Sequence, residues 1–265
     1  MFHHTGLADR LPQKAVLPQR RSGRALLAAM SVALCASSLA CPPSADMRQD
    51  VAESADGSEP TQVAEPAGPR IVDFQPGIRI DFSIPQVEVA GEVILRRGEL
   101  ELFAYSKAPT PKQHETILLL RSKPESIYHA LGLIGLKPGH PVSYDWQTQV
   151  TTPAAGDPVD VLVRYESEGK KVEASACDWM FDLKRQKPMS RRHWLFAGST
   201  RMEDGRFFAD IDGTVVTVVN FNSALLSLPN LHSESNAELW LAANTEAIPP
   251  VGTPVTLILR PVKKE

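Results

Sequence analysis

VEVAGEVIL, residues 87–95, alternates dry and wet: Val87, Val89, Val93 and Leu95 fall on one face, Glu88 and Glu92 on the other. A period of two is the signature of a strand with one buried and one solvated side. The same spacing returns in PVDVLVRY (158–165) and PVTLILR (254–260), and ELELF (99–103) sets Leu100 and Leu102 against Glu99 and Glu101. TILLL (116–120) differs, because no polar residue interrupts it. It reads as a central strand covered on both faces. Glu168-Gly169, Asp204-Gly205 and Asp212-Gly213 punctuate the later apolar runs, from VLVRY through VEASACDWMF, WLFAGST and RFFADI to TVVTVVNF. Short strands joined at such pairs are expected to form an antiparallel meander.

Helices are few. Ser122-Lys-Pro-Glu125 has the form of a capping box with proline in the first turn, and Ile127, Ala130, Leu131 and Ile134 follow at helical spacing before Gly135. His129 lies off that stripe, and a second short helix is expected over 223–228. The fold class is therefore α+β: one β-rich domain over 71–265, a mixed or antiparallel sheet with one or two short helices. That length buries a core without disulfides.

The segment before the domain is of another kind. Arg20, Arg21 and Arg24 precede the uncharged run ALLAAMSVALCASSLA (25–40), the pattern of a secretory signal peptide over residues 1–40. Ser38-Leu39-Ala40-Cys41 fits a permissive bacterial lipobox, which makes Cys41 the expected lipidation site. Residues 41–70 are rich in Pro, Ser, Ala and acid and poor in large apolar side chains, so a disordered tether is expected there. The partners implied are a membrane, reached through the lipid on Cys41, and an envelope protein or small polar ligand.

Cysteine and charge exclude several classes. With Cys35 in the signal and Cys41 lipidated, only Cys177 is left in the domain, so an internal disulfide, an iron–sulfur cluster and a multi-thiolate zinc site are excluded. Cys177 is expected to be a small buried packing residue beside Trp179. Residues 71–265 carry a net charge of −3, which is not the footprint of a nucleic-acid binder. Gly-rich phosphate loops and a Gly-x-Ser-x-Gly elbow are missing, and Asp210-Ile-Asp212-Gly213 lacks the later ligands of a calcium loop. A strand–turn–strand is expected at that place.

KQHETILLL (112–120) holds the best candidate chemistry. His114-Glu115 opens like a zinc-protease helix, but Leu118 stands where a second histidine is needed. One histidine and one carboxylate fall short of the three protein ligands of catalytic zinc, so neither metal nor cofactor is expected. His beside a carboxylate still suits proton transfer near neutral pH.

The phrases from VEVAGEVILRRGELELFAYSKAPTPKQHETILLLRSKPESIYHALGLIGLKPGHPV, with WLFAGS, NFNSALLSLP and SNAELWLAANTEAIPPVGTPVTLILRP, resemble the YdjY-domain proteins, uncharacterised exported bacterial proteins of planctomycete type. The resemblance covers residues 84–261 and implies a shared fold without an established activity. Some members are labelled ferredoxin-like, which this chain's cysteine count does not support. Many relatives have cysteine where Tyr105 stands, so a Cys/His/Glu site would be incomplete here. The family's His-Glu-Ser phrase is matched by His114-Glu115-Thr116. The candidate ligand-binding residues are thus His114, Glu115, Lys112, Lys107 and Tyr105. The leading expectation is a lipid-anchored, non-catalytic binding or assembly module of the cell envelope. The alternative is a hydrolase-like or metal-dependent enzyme using His114 and Glu115 at the loop–strand junction.

Overall fold

The computed structural model describes residues 70–109, 111–229 and 239–263. The expected signal peptide, Cys41 and the rest of the expected tether up to residue 69 lie outside them. The VEVAGEVIL stretch forms β3 (Gln86–Val93), with Val87, Val89 and Val93 fully buried and Glu88 and Glu92 half-buried on the opposite face. Its alternation is borne out, and it organises an eleven-stranded sheet. The other strands are β1 (Ile71–Gln75), β2 (Ile78–Asp81), β4 (Leu102–Ser106), β5 (Thr116–Leu120), β6 (Pro158–Ser167), β7 (Lys170–Ser175), β8 (Trp194–Phe196), β9 (Thr214–Thr217), β10 (Leu226–Ser227) and β11 (Pro254–Pro261).

Eight of these strands close on themselves in the order β3–β11–β6–β8–β10–β9–β4–β5, with β5 returning to β3. The closure works because β3 shares one of its edges. Gln86–Val89 pair with β2, while Gly91, Glu92 and Val93 pair with Leu120, Leu119 and Leu118 of β5. Strand β6 forks likewise, Pro158 and Val159 pairing with β8 and residues 162–167 with β7. Val159, Val161 and Val163 of β6, Leu257 and Leu259 of β11, and Leu118 and Leu120 of β5 belong to one core cluster.

The meander expectation needs correction. Only Glu168-Gly169 makes the expected hairpin, linking β6 to β7 with both residues at positive φ. RFFADI is not a strand: Phe208–Asp212 is the short helix α2, and Gly213 is its left-handed C-cap at φ 76. Asp212-Gly213 is thus a helix stop leading into β9. Two pairs are parallel, β4 with β5 and β9 with β10, so the sheet is mixed. Residues 226–227 form strand β10 rather than part of a second helix, because Leu226 and Ser227 fill the place between β8 and β9.

Helix α1 (Pro124–Leu133) buries Ile127, Ala130 and Leu131 in the barrel core, and Gly135 at φ 90 follows it. Its Tyr128 ring lies 5.4 Å from Phe196 and 5.5 Å from Phe207. The expected capping box does not form, since proline at the first helical position makes Lys123, not Ser122, the N-cap. Ser122 Oγ donates instead to the Pro76 carbonyl at 3.0 Å. The cap comes from far away: Asp210 Oδ1 in α2 accepts from the Glu125 N–H at 2.8 Å.

VEASACDWMF is likewise not continuous strand. Ala176–Trp179 is a 3-10 turn in which Ser175 Oγ accepts from the Cys177 N–H, and Cys177 and Trp179 are both buried. Burial pushes the Cys177 thiol up.

The closure supplies a test. A Cβ on Gly91 would stand 2.8 Å from the Leu119 carbonyl and 2.9 Å from a Leu120 methyl. Both belong to the strand that shuts the barrel, so β3 and β5 cannot keep their spacing. Gly91→Ala is expected to cost about 2–3 kcal/mol, as overpacking typically does, read as a lowered urea midpoint at unchanged slope.

Candidate functional site

The residues singled out in the sequence divide between the two ends of β5. At its entrance the chain makes a 3-10 turn, Gln113–Glu115, tied down where Thr116 Oγ1 donates to the Lys112 carbonyl at 2.6 Å. That turn brings His114 Nε2 within 3.5 Å of Glu115 Oε2, but the two side chains face different surroundings. The His114 side chain is 78 % exposed and that of Glu115 only 16 %.

Glu115 faces Lys112, whose Nζ lies 3.7 Å from Glu115 Oε1 and 3.6 Å from Glu101 Oε2. The same ammonium stands 4.6 Å from the centroid of the Phe221 ring. Phe221 belongs to a small apolar cluster with Leu102, Val219 and Ala224. Lys112 is thus a mostly buried cation between two carboxylates and an aromatic face. The alternation of ELELF had put Glu101 on the solvated side. The structure corrects this: Glu101, the residue just before β4, is 7 % exposed, with its carboxylate turned to Lys112.

Tyr105 and Lys107 lie elsewhere. Strands β4 and β5 are parallel, pairing Leu102 with Thr116 and Ser106 with Leu120. Tyr105 and Lys107 therefore stand toward the far end of the pair, Tyr105 four residues beyond Glu101, or about 13 Å along the strand, and Lys107 further still. Tyr105 is buried. Its hydroxyl accepts from the Ala108 N–H at 2.8 Å and donates to the Ala108 carbonyl at 3.2 Å. That clamp fixes the residue after Lys107, which is exposed on the rim of a cavity of about 410 Å³.

Arg121, Lys123 and Asp210 line this cavity too. None of the three was singled out in the sequence as a site residue: Lys123 falls in the expected capping box, Asp210 in the expected strand–turn–strand, and Arg121 directly follows the apolar run TILLL. Burial pushes the Asp210 carboxyl up, with Glu125 adding in the same direction against the Glu125 N–H, Lys123 and Arg201. Two larger cavities, of about 620 and 600 Å³, lie on the outer face of β3 and β11 and share Ala90 and Thr256. His114 lines none of the three. Among the described residues, no three His, Cys, Asp or Glu side chains gather into a group able to hold a metal ion.

The chain is thus a β-rich domain with few helices, its eight-stranded barrel carrying a cation buried between carboxylates at one end and a cationic cleft at the other. The family model for the YdjY domain matches residues 78–260, and the chain belongs to that family. No curated protein and no solved structure matches it.

Two outcomes follow. Lys112→Ala leaves the Glu101 and Glu115 carboxylates together at the buried rim without the cation between them, and is expected to cost about 3 kcal/mol. His114→Ala removes an exposed side chain and should stay within about 0.5 kcal/mol of wild type. Urea unfolding of both variants checks the contrast, and equal effects would contradict it.

Asp210 gives a pH test. Its folded pKa is raised, so proton binding contributes stability that is present below the unfolded value and is lost as pH rises through the folded one. Asp210→Asn keeps an acceptor for the Glu125 N–H and removes the buried charge. It should be at least as stable as wild type at pH 7, with the advantage closing as pH falls towards about 4. Asp210→Ala should instead lose about 1 kcal/mol with the cap. Thermal unfolding across that range reads both.

Proposed function

We propose that the protein is a lipid-anchored binding or assembly module of the cell envelope that performs no chemistry of its own. One observation carries this reading. The His114, Glu115 and Lys112 constellation, where an enzyme of this sequence would work, is arranged as a rim closure. Lys112 and Glu115 are committed to each other and to Glu101 and Phe221, and His114 points out into solvent. A general base needs a substrate proton within reach in a concave site, and His114 has no such surroundings in the three cavities described. The anchor rests on the Ser38-Leu-Ala-Cys41 lipobox, with residues 42–70 as the spacer.

Mass spectrometry of the mature N-terminus is expected to find a diacylglyceryl group on Cys41. An unmodified soluble chain would remove the anchor. Affinity capture of the intact protein from envelopes should recover the same partner with wild type and with His114→Ala. Stoichiometric zinc or iron in the unchelated wild type that disappears in His114→Ala would overturn the non-catalytic reading in favour of a metal-dependent enzyme.

A further inference from the structure

We propose that the cleft at the carboxyl ends of β4 and β5, beside the start of α1, binds a small hydroxylated anion of the phosphate-monoester class, held by Lys107, Arg121 and Lys123 and oriented by Asp210. This deepens the reading of the chain as a binding module and rests on it.

The parallel pairing of β4 with β5 places the cations together. Ser106 and Leu120 are register partners, so Lys107 and Arg121, each the next residue, leave the sheet side by side, and Lys123 follows at the N-cap of α1. Three cations and one carboxylate face a cavity of about 410 Å³. That volume falls in the range of small-ligand sites. The local excess is not a bulk property, because residues 71–265 carry a net charge of −3.

The cations are also uncommitted. Lys107 and Lys123 make no ion pair with any described residue, and the closest carboxylate to Arg121, that of Glu92, is 4.0 Å away with the Arg121 side chain 67 % exposed. In contrast to these, Lys112 at the other end is fully engaged.

The walls are held before any ligand arrives. Ser106 Oγ donates to the Ser122 carbonyl at 2.8 Å, joining the two strand ends, and Ser122 Oγ donates to the Pro76 carbonyl. The Tyr105 hydroxyl grips both backbone groups of Ala108 and so sets the direction of the chain leaving Lys107. Asp210 is fixed by the Glu125 N–H through Oδ1. The helix N–H is therefore already used, and anion recognition falls to the side chains. An arginine and two lysines around one phosphate form charge-assisted bonds, and the Asp210 carboxylate is an acceptor for a ligand hydroxyl. A carboxylate in the wall disfavours a bare anion and favours one that also brings a donor. Hence an ester of a polyol, which brings hydroxyl donors, fits better than sulfate, which brings none.

Titration calorimetry of the full-length protein in neutral detergent tests this with glycerol 3-phosphate and with sulfate. The expected result is saturable binding of the ester in the millimolar range or tighter, with sulfate weaker. Lys107→Ala and Lys123→Ala should each weaken it about tenfold or more, as loss of a charge-assisted bond does. Lys187→Ala, an exposed lysine that lines none of the three cavities, should leave it unchanged. The melting temperature of each variant shows that the fold is intact. Heats that do not saturate with wild type, or saturable binding unaltered in the Lys107→Ala, Lys123→Ala double variant, would overturn the site. Either result leaves the anchored module standing. Release of inorganic phosphate from the bound ester would do the reverse, supporting the site and sinking the non-catalytic reading.

Discussion

The contact on which this domain depends is the short antiparallel pairing of Gly91–Val93 with Leu118–Leu120. Without it the eleven strands would be an open, strongly twisted sheet with free edges along β3 and β5, a hazard for edge-to-edge association. With it, eight strands form a barrel around one apolar core. Because β2 occupies the first half of the same edge of β3, the closing strand has only three residues of pairing to work with. The backbones must then approach closely, and a glycine at position 91 permits it. Burial of Leu118 and Leu120 supplies the drive, at about 2–3 kcal/mol for each large side chain removed from water.

Closure at that point also fixes where the polar chemistry sits. Strand β5 enters the barrel from the turn carrying Lys112, His114 and Glu115 and leaves it into α1, so its two ends become the two ends of the barrel. At the entrance, each Lys112–carboxylate attraction is worth about 4–5 kcal/mol at an effective dielectric of 20. Burying the three charges costs several kcal/mol per ion. The gain and the cost are close, so the cluster is a weak source of stability. Its consequence is geometric: it pins the loop before β5 to Glu101, just before the neighbouring β4, and to Phe221. A register set in this way resists a one-residue slip, which would turn every side chain of β5 to the wrong face.

What the sequence made legible follows from how local each determinant is. β3 and β6 each carry several alternating residues, and their burial reproduces that alternation, whereas in β11 Ile258 is buried along with Leu257 and Leu259. ELELF has the same pattern and misled, since Glu101 precedes β4 rather than facing solvent from a strand, and is buried against Lys112. RFFADI was misread because Phe207 and Phe208 with Ile211 suit a strand as well as the single helical turn they make. The cap of α1 was beyond reach, since its acceptor is 85 residues away. For the site, His114, Glu115 and Lys112 were legible as neighbours because one turn joins them. The separation of Tyr105 and Lys107 from them was not, because it depends on β4 and β5 being parallel. Two strands joined by nine residues suggest a hairpin, with its ends together, and a parallel pair needs the connection to run back along the strand.

Asp210 joins these levels. Its carboxylate stands in for the capping residue that the sequence before α1 lacks, and it is also a wall of the cleft beside Lys123. Glu125, whose N–H it accepts, binds Arg201 at 2.6 Å, so α1, α2 and the loop before α2 are tied through one helix turn. Any ligand that draws on Asp210 must compete with the Glu125 N–H or use the second carboxylate oxygen. The first course would loosen the start of α1, whose Ile127 and Leu131 belong to the barrel core. The second leaves the helix seated and adds a contact at no structural cost. A ligand hydroxyl reaching that second oxygen is therefore favoured over an anion pressing on the first. The same hydrogen bond that starts the helix thus selects what the cleft can hold.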